Sequence, residues 1–184
     1  CYTNMRMFGV AKDYLSKIAA SPKSDFWART GKIALLDCLL KEGSVADLQK
    51  EARALYSFPH MHANLRAVLV DTLEKREQQG FYHDCIGVAK LLLEKESFPF
   101  SRIRHEFQLM DCYEYAGEVE RAMEIGEGLV QNPACPAIIR THAQFVLSDL
   151  YLLNGDSSKS AEILGDVEAR ENSSPILAQS HIYH

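Results

Sequence analysis

The chain has 184 residues and a net charge of −5, and apolar residues make up 47% of it. A chain of this length can bury a sizeable core, and its negative charge argues against non-specific attraction to nucleic acid or to anionic lipid. No apolar run reaches the roughly 18 residues that a membrane-spanning helix needs. We therefore expect protein partners, and neither a nucleic acid nor a membrane.

Apolar residues recur at spacings of three and four along most of the chain, as in Leu35, Leu36, Leu39 and Leu40. This spacing is typical of amphipathic helices. No segment shows the sustained alternation of a strand or a hairpin signal, so the sequence predicts an all-α protein. The predicted helices are, in chain order, residues 10–20, 24–42, 45–57, 62–79, 81–95, 101–116, 118–130, 136–154 and 157–169.

Glycines recur between these helices at a nearly constant period. Gly9, Gly43, Gly80, Gly117 and Gly155 are separated by 34, 37, 37 and 38 residues. Glycine favours the left-handed cap that ends a helix, so each of these glycines is predicted to turn the chain into a second helix. A proline then marks the break before the next pair of helices, and these prolines are Pro22, Pro59, Pro99, Pro133 and Pro175.

The predicted unit is a helical hairpin that cannot bury its apolar faces alone, whereas stacked hairpins can. It resembles the tetratricopeptide repeat (TPR) and related TPR-like hairpins, whose usual period is 34 residues. That family has an aromatic residue four before the glycine, a leucine eight before it and a small residue five after it. The residues that match are Tyr113 and Tyr151, then Leu35, Leu109 and Leu147, then Cys85, Ala122 and Ser160.

Several positions depart from the family pattern, so the resemblance is strongest in the last two full repeats. They are Leu39 and Arg76 at the aromatic position, Thr72 at the leucine position, and Leu48 and Tyr14 at the small position. The resemblance implies a right-handed superhelical solenoid over residues 1–184, with about four full hairpins and partial flanks. The helical scaffolds of vesicle coats and other large complexes stay open as related alternatives.

One constellation within the repeat suggests a binding surface. An acid stands six residues before the glycine in all four full repeats, as Asp37, Glu74, Asp111 and Asp149. An apolar residue stands ten before it, as Ile33, Val70, Phe107 and Phe145. These positions are four residues apart, so each pair shares one stripe of its helix.

The resemblance implies that this stripe lines a concave groove with an apolar floor and a ladder of carboxylates. Such a groove would bind a basic and apolar protein segment, and it disfavours the carboxylate-ended chaperone tails that the best-known clamp of the family grips with Lys and Asn. The alternative is an ordinary solvated face, with the apolar residues buried between repeats. The alternative functional hypothesis is an RNA-binding helical repeat of the pentatricopeptide type, and the acidic stripe argues against it.

The sequence shows no motif that indicates a catalytic site or a metal site. The histidines of Pro59-His60-Met61-His62 and the pair His181 and His184 have no Cys, Asp or Glu at ligand spacing, and no phosphate-binding loop or nucleophile motif occurs. Gly126-Glu127-Gly128 lies in a helical pattern and predicts a weak helix rather than a nucleotide loop. We expect no enzyme activity and no cofactor.

The cysteines indicate a reducing compartment, because their number, five, is odd and no C-x-x-C occurs. A cytoplasmic location follows, with the nucleus left open. Cys38 and Cys112 recur at one repeat position beside the acids, so both are predicted to be buried. The sequence starts without Met and ends within an apolar pattern, from which we expect a segment of a larger protein. Its end, residues 175–184, is expected to be exposed, frayed or paired with a second copy.

Overall fold

The computed structural model describes residues 8–20, 25–42, 45–56 and 62–173, and in this part of the chain all regular structure is helical. The helices are α1 (Phe8–Ala19), α2 (Asp25–Glu42), α3 (Val45–Leu55), α4 (His62–Gln78), α5 (Tyr82–Lys95), α6 (Pro99–Tyr115), α7 (Val119–Gln131), α8 (Ala137–Leu153) and α9 (Ser157–Ser173). Helices adjacent in sequence pack together as α1 with α2, α4 with α5, α6 with α7 and α8 with α9. The predicted all-α repeat of helical hairpins is confirmed.

The chain divides into two compact units, Cys1–Glu96 and Ser97–His184. In the first unit, α2 packs against α3 and α4, and α3 packs against α5. In the second unit, α7 and α8 join the two hairpins, and α6 also contacts α8. The single domain over residues 1–184 stays a prediction.

Glycine turns end α4, α6 and α8 as predicted. Gly80, Gly117 and Gly155 have positive φ angles of 75°, 76° and 84°, a conformation that glycine adopts without steric cost. The N–H after each glycine donates back into the last helical turn, as from Glu118 to the Tyr113 carbonyl over 2.9 Å. This bond pattern is that of a Schellman cap, which fixes the direction of the next helix.

The prediction that Gly9 also forms a turn between helices is wrong. Helix α1 begins at Phe8, so Gly9 lies within its first turn, and its φ is not positive. The turn at Gly43 lies outside the described residues. Of the predicted breaks, Pro99 is the first residue of α6, where its missing N–H costs no helical hydrogen bond, and Pro133 lies in the turn before α8. Pro22, Pro59 and Pro175 lie outside the described residues.

A pair of side chains links the two helices across each described glycine turn. The residue four before the glycine meets the residue four after it. Arg121 lies 5.7 Å from the Tyr113 ring centroid, and Lys159 lies 4.9 Å from the Tyr151 centroid. At Gly80 an ion pair replaces the contact between a cation and a ring. Arg76 occupies the aromatic position and pairs with Asp84 over 3.8 Å. The departure of Arg76 from the family pattern is thus matched by a carboxylate on the facing helix.

The positions that carry the family resemblance lie in the core. The matching leucines, the aromatic residues and the small residues are all buried: Leu35, Leu109, Leu147, Tyr113, Tyr151, Cys85, Ala122 and Ser160. The predicted burial of Cys38 and Cys112 is confirmed, with 0% and 1% of their surfaces exposed. Both thiols therefore face packed helices, as the placement of the neighbouring acids required.

Gly126 is a close-packing position of α7 rather than only a weak point of that helix. A Cβ atom added to it would stand 2.8 Å from Cγ and Cδ2 of Leu147 and 3.1 Å from Sδ of Met110. Met110 occupies the position seven before Gly117, where the last repeat has the smaller Ser148. Gly126 thus leaves room for the larger side chain on the facing helix. In the α8–α9 hairpin the Ser148 hydroxyl instead hydrogen-bonds the Ser160 hydroxyl over 2.7 Å.

We predict opposite effects of alanine at the two glycines of α7. Gly126→Ala should lower the free energy of unfolding, because overpacking costs about 1–3 kcal/mol and exceeds the helix-propensity gain of about 1 kcal/mol. Gly128→Ala is the matched control: nothing lies within 4 Å of its added Cβ, so it should stabilise by about 0.5–1 kcal/mol. Urea unfolding measures both changes. Equal stabilisation by the two substitutions would contradict the close packing of α7.

Candidate interaction surface

The predicted stripe residues divide between the two units. In the first unit, Ile33 of α2 and Val70 of α4 are half-buried, and Glu74 is exposed. The side chain of Asp37 lies outside the description. In the second unit, Phe107 and Asp111 of α6 are half-buried, whereas Phe145 and Asp149 of α8 are exposed. The ladder of four carboxylates therefore stays a prediction. The contacts described below are those of the stripe residues in the second unit.

Two side-chain pairs define how α6 and α8 face each other. The Phe107 ring stacks on the His142 ring, with centroids 5.4 Å apart and planes inclined by 28°. Glu114 lies near enough to Asp149 for the aspartate charge to raise its pKa. In both pairs the α8 residue is 35 positions after its α6 partner. The stripe of α6 thus meets the stripe of α8 slightly out of register with the repeat period of 38 residues.

Glu114 is the residue that the repeat comparison missed. It stands three residues before Gly117, where the other full repeats have Leu40, Glu77 and Leu152. An acid stands there in only two of the four full repeats, Glu77 and Glu114, so comparing repeats did not single it out. Its spacing of three from Asp111 was the available signal, since residues three apart share a helix face.

The environment of Glu114 opposes its negative charge. Partial burial raises the pKa of the Glu114 carboxyl, and the nearby charge of Asp149 raises it further. Within the described residues, neither carboxylate has an ion pair or a hydrogen-bond donor. The surface between α6 and α8 therefore holds two acids whose mutual repulsion is not offset.

Apolar side chains flank this acidic pair. Phe145, Leu152 and Leu153 lie four, three and four residues from Asp149 along α8, and 42%, 53% and 77% of their surfaces are exposed. Residues three and four apart share one face of a helix, so these side chains and Asp149 form one stripe. We call the set Phe107, Asp111, Glu114, Phe145, Asp149, Leu152 and Leu153 the α6–α8 stripe.

The histidine at the start of α4 has a local structural role. His62 Nε2 is 3.0 Å from the backbone oxygen of Tyr56, and the two rings meet edge to face at 5.7 Å. The side chains of His60, His181 and His184 lie outside the described residues. Among the residues that the structure does describe, no group of three or more His, Cys, Asp or Glu side chains could hold a metal ion. None of the described helices is long and apolar enough to cross a membrane.

We predict that removing either charge of the Glu114 and Asp149 pair stabilises the fold. The folded protein holds the Glu114 proton more tightly than the unfolded chain, because the pKa is raised on folding. The free energy of unfolding therefore falls as pH rises from the unfolded pKa through the folded one. Glu114→Gln should raise stability at neutral pH by about 0.2–0.5 kcal/mol, since an exposed pair is strongly screened.

A double-mutant cycle with Asp149→Asn separates this repulsion from other effects of the substitutions. Once Asp149 is neutral, Glu114→Gln should gain less, and the coupling should vanish below the carboxyl pKa values. Glu120→Gln, at an exposed position of α7, serves as the control. Additive effects of the two substitutions at neutral pH would show that the acids do not interact.

Comparison with known proteins supports the fold. Over 95% of its length the chain is similar to 92% of a crystal structure of nearly identical TPR-like repeats from a Podosopora anserina protein assigned as a kinesin light chain, with a TM-score of 0.53 and 16% identity. A variant of the same repeats covers 94% of this chain and 90% of its own, with a TM-score of 0.52 and 16% identity. No protein-family model and no curated protein matches the sequence. The helical hairpins, the glycine turns and this likeness together show that the chain has a TPR-like repeat fold.

Proposed function

We propose that this chain is a protein–protein interaction segment, a scaffold or adaptor, and that the α6–α8 stripe binds a basic and apolar segment of its partner. The observation that carries the proposal is the pair of Glu114 and Asp149, two like charges on neighbouring helices without a cation among the described residues. A partner with Lys or Arg would relieve the repulsion between them. The same acids oppose the RNA-binding alternative, because a phosphate backbone would add negative charge.

The apolar part of the stripe supplies the affinity that exposed charges cannot. An exposed ion pair contributes only about 0.2–1 kcal/mol, and interfaces draw most of their binding energy from a few well-packed residues that exclude water. Phe145, Leu152 and Leu153 are exposed beside Asp149, where they can contact apolar side chains of the same partner segment. The proposal therefore requires basic and apolar residues together, and a purely basic peptide should bind poorly.

The reach of the stripe sets a length for the segment. Packed helices lie about 8–10 Å apart, and an extended peptide advances about 3.3 Å per residue. Three or four residues thus cross from α6 to α8 in the second unit. Asp37, Glu74, Ile33 and Val70, the predicted groove residues of the first unit, stay a separate part of the proposal, which assigns no catalytic role to any residue.

We predict that charge reversal on the stripe weakens binding of such a segment. The probe is a labelled peptide of about eight residues that alternates Arg or Lys with Leu or Phe, measured by fluorescence anisotropy with the 184-residue chain. Glu114→Lys with Asp149→Lys should cost about 1–2 kcal/mol, or roughly five- to thirtyfold in Kd. Raised salt should weaken binding to the unmodified chain in the same direction.

The matched control reverses two other acids and so changes the net charge equally. Glu120 and Glu124 are exposed on α7, and Glu120→Lys with Glu124→Lys should leave the Kd nearly unchanged. Glu118 is unsuitable because its carboxylate already accepts a hydrogen bond from Arg121. If both double reversals weaken the peptide equally, only the net charge matters, and the α6–α8 stripe is an ordinary solvated face.

A further inference from the structure

The second unit contains a cavity that the α6–α8 stripe does not use. It has a volume of about 270 Å³ and opens between α7, α8 and α9. Its lining mixes aliphatic and polar side chains, and the residues that matter below are Val130, Leu147, Ile163, Glu127, Gln144 and Lys159. A cavity of this size and mixed lining has room for a side chain or a small molecule.

Gln144 is a buried polar residue in the lining of this cavity. Only 1% of its surface is exposed, and its side-chain oxygen has no hydrogen-bond donor among the residues that the structure describes. A buried amide oxygen without a donor costs free energy, and the great majority of buried polar atoms are paired. Gln144 lines the cavity, so a ligand that enters and moves against this amide can supply the missing donor.

Glu127 adds a second acceptor, with a negative charge. The Tyr151 hydroxyl donates a short hydrogen bond to Glu127 Oε1, and this bond, helped by burial, raises the pKa of Tyr151 to about 12. The hydroxyl is therefore a donor to Glu127 at any physiological pH. A carboxylate can accept about four hydrogen bonds, so Glu127 retains capacity for a ligand.

The positive charge of Lys159 is already engaged. Its ammonium lies 4.9 Å from the Tyr151 ring centroid and 3.9 Å from the Asp156 carboxylate. The negative charge of Asp156 offsets the positive charge of Lys159. The charge of Glu127 is not offset, so this part of the surface is net negative. The complementary ligand carries N–H donors, a positive charge and an apolar stem.

We infer that this cavity binds a guanidinium group, carried by an arginine side chain of a bound protein segment. Guanidinium has five donors and no acceptor, and it can reach both Gln144 Oε1 and the Glu127 carboxylate. It is more weakly hydrated than an ammonium, so burying it costs less. The methylene stem of arginine can rest on Val130, Leu147 and Ile163, as such stems do on apolar surfaces.

This site is separate from the proposed groove. Gln144, Leu147 and Tyr151 are spaced by three and four residues on one stripe of α8, whereas Phe145, Asp149 and Leu152 lie on another. At 100° per residue the two stripes are roughly 130° apart around the helix. Loss of one site therefore leaves the other in place, and failure of the stripe proposal can be told from failure of this one.

The test is an NMR titration of the 184-residue chain with a capped Gly-Arg-Gly tripeptide. We expect saturable shifts of the Gln144 side-chain amide and of the Leu147 and Ile163 methyls, with a Kd on the order of millimolar for so few contacts. The same tripeptide with citrulline, which keeps the shape without the charge, should bind about tenfold more weakly. Equal binding of both tripeptides, or no saturable shift at all, would overturn the inference.

Two variants and one control test the assigned contacts. Gln144→Leu removes an unpartnered amide and should therefore fold, as a thermal melt would verify, yet lose the methyl shifts. Glu127→Gln keeps an acceptor for Tyr151 and should weaken binding about tenfold, whereas Glu124→Gln, at an exposed position one turn earlier, should not. Unchanged affinity of Gln144→Leu and Glu127→Gln would overturn the site. Free L-arginine that binds more tightly than the tripeptide would overturn the assignment to a protein segment.

Discussion

The hairpins α4–α5, α6–α7 and α8–α9 depend on the left-handed turn at the end of their first helices. At Gly117 the backbone N–H of Glu118 donates to the Tyr113 carbonyl, so the turn is tied to the residue four positions before the glycine. This bond directs α7 back along α6 and brings Arg121 over the Tyr113 ring. The same arrangement occurs at Gly155 with Tyr151 and Lys159. Because only glycine takes this conformation without strain, the period of the glycines is the period of the fold.

The turn also decides which face of the first helix can meet a partner. In α6 the residues Leu109, Cys112 and Tyr113 are buried, since they face the packed helices. Asp111 and Glu114 lie beside them in the sequence but are only half-buried, so they keep more contact with solvent. A hairpin of this kind cannot bury every face of its first helix, so α6 keeps a strip of surface that is accessible to a partner.

Most of the fold could be predicted from the sequence because its signals are local. Helical spacing, glycine and proline placed the ends of the described helices to within two residues, the usual uncertainty of helix ends, except that α9 continues four residues past its predicted end. Gly9 misled the comparison, because a glycine at the right interval need not sit in a turn when a helix continues through it. The partners of Arg76 and Gly126 could not be predicted either, since each depends on which side chain the facing helix brings opposite.

The interaction surface was only partly predictable for the same reason. Asp149 and Phe145 stand out because an acid and an apolar residue recur at their positions in all four full repeats. The position of Glu114 is acidic in only two of them, and Glu114 became visible only through its proximity to Asp149. Gln144 gave no signal at all, because a glutamine in an amphipathic helix is ordinary until its oxygen is found buried without a donor. Non-repeating residues distinguish one array of hairpins from another, and these are the residues that a repeat comparison averages away.

Tyr151 takes part both in the glycine turn of the α8–α9 hairpin and in the lining of the cavity beside it. Its backbone carbonyl accepts the turn bond from Asp156 over 2.8 Å, and its ring lies against Lys159. Its hydroxyl holds Glu127 of the preceding hairpin. A ligand that binds Glu127 would therefore act on a side chain that already joins α7, α8 and α9. Since a ligand that binds only the folded state stabilises that state, occupancy of the cavity should strengthen the junction between these two hairpins.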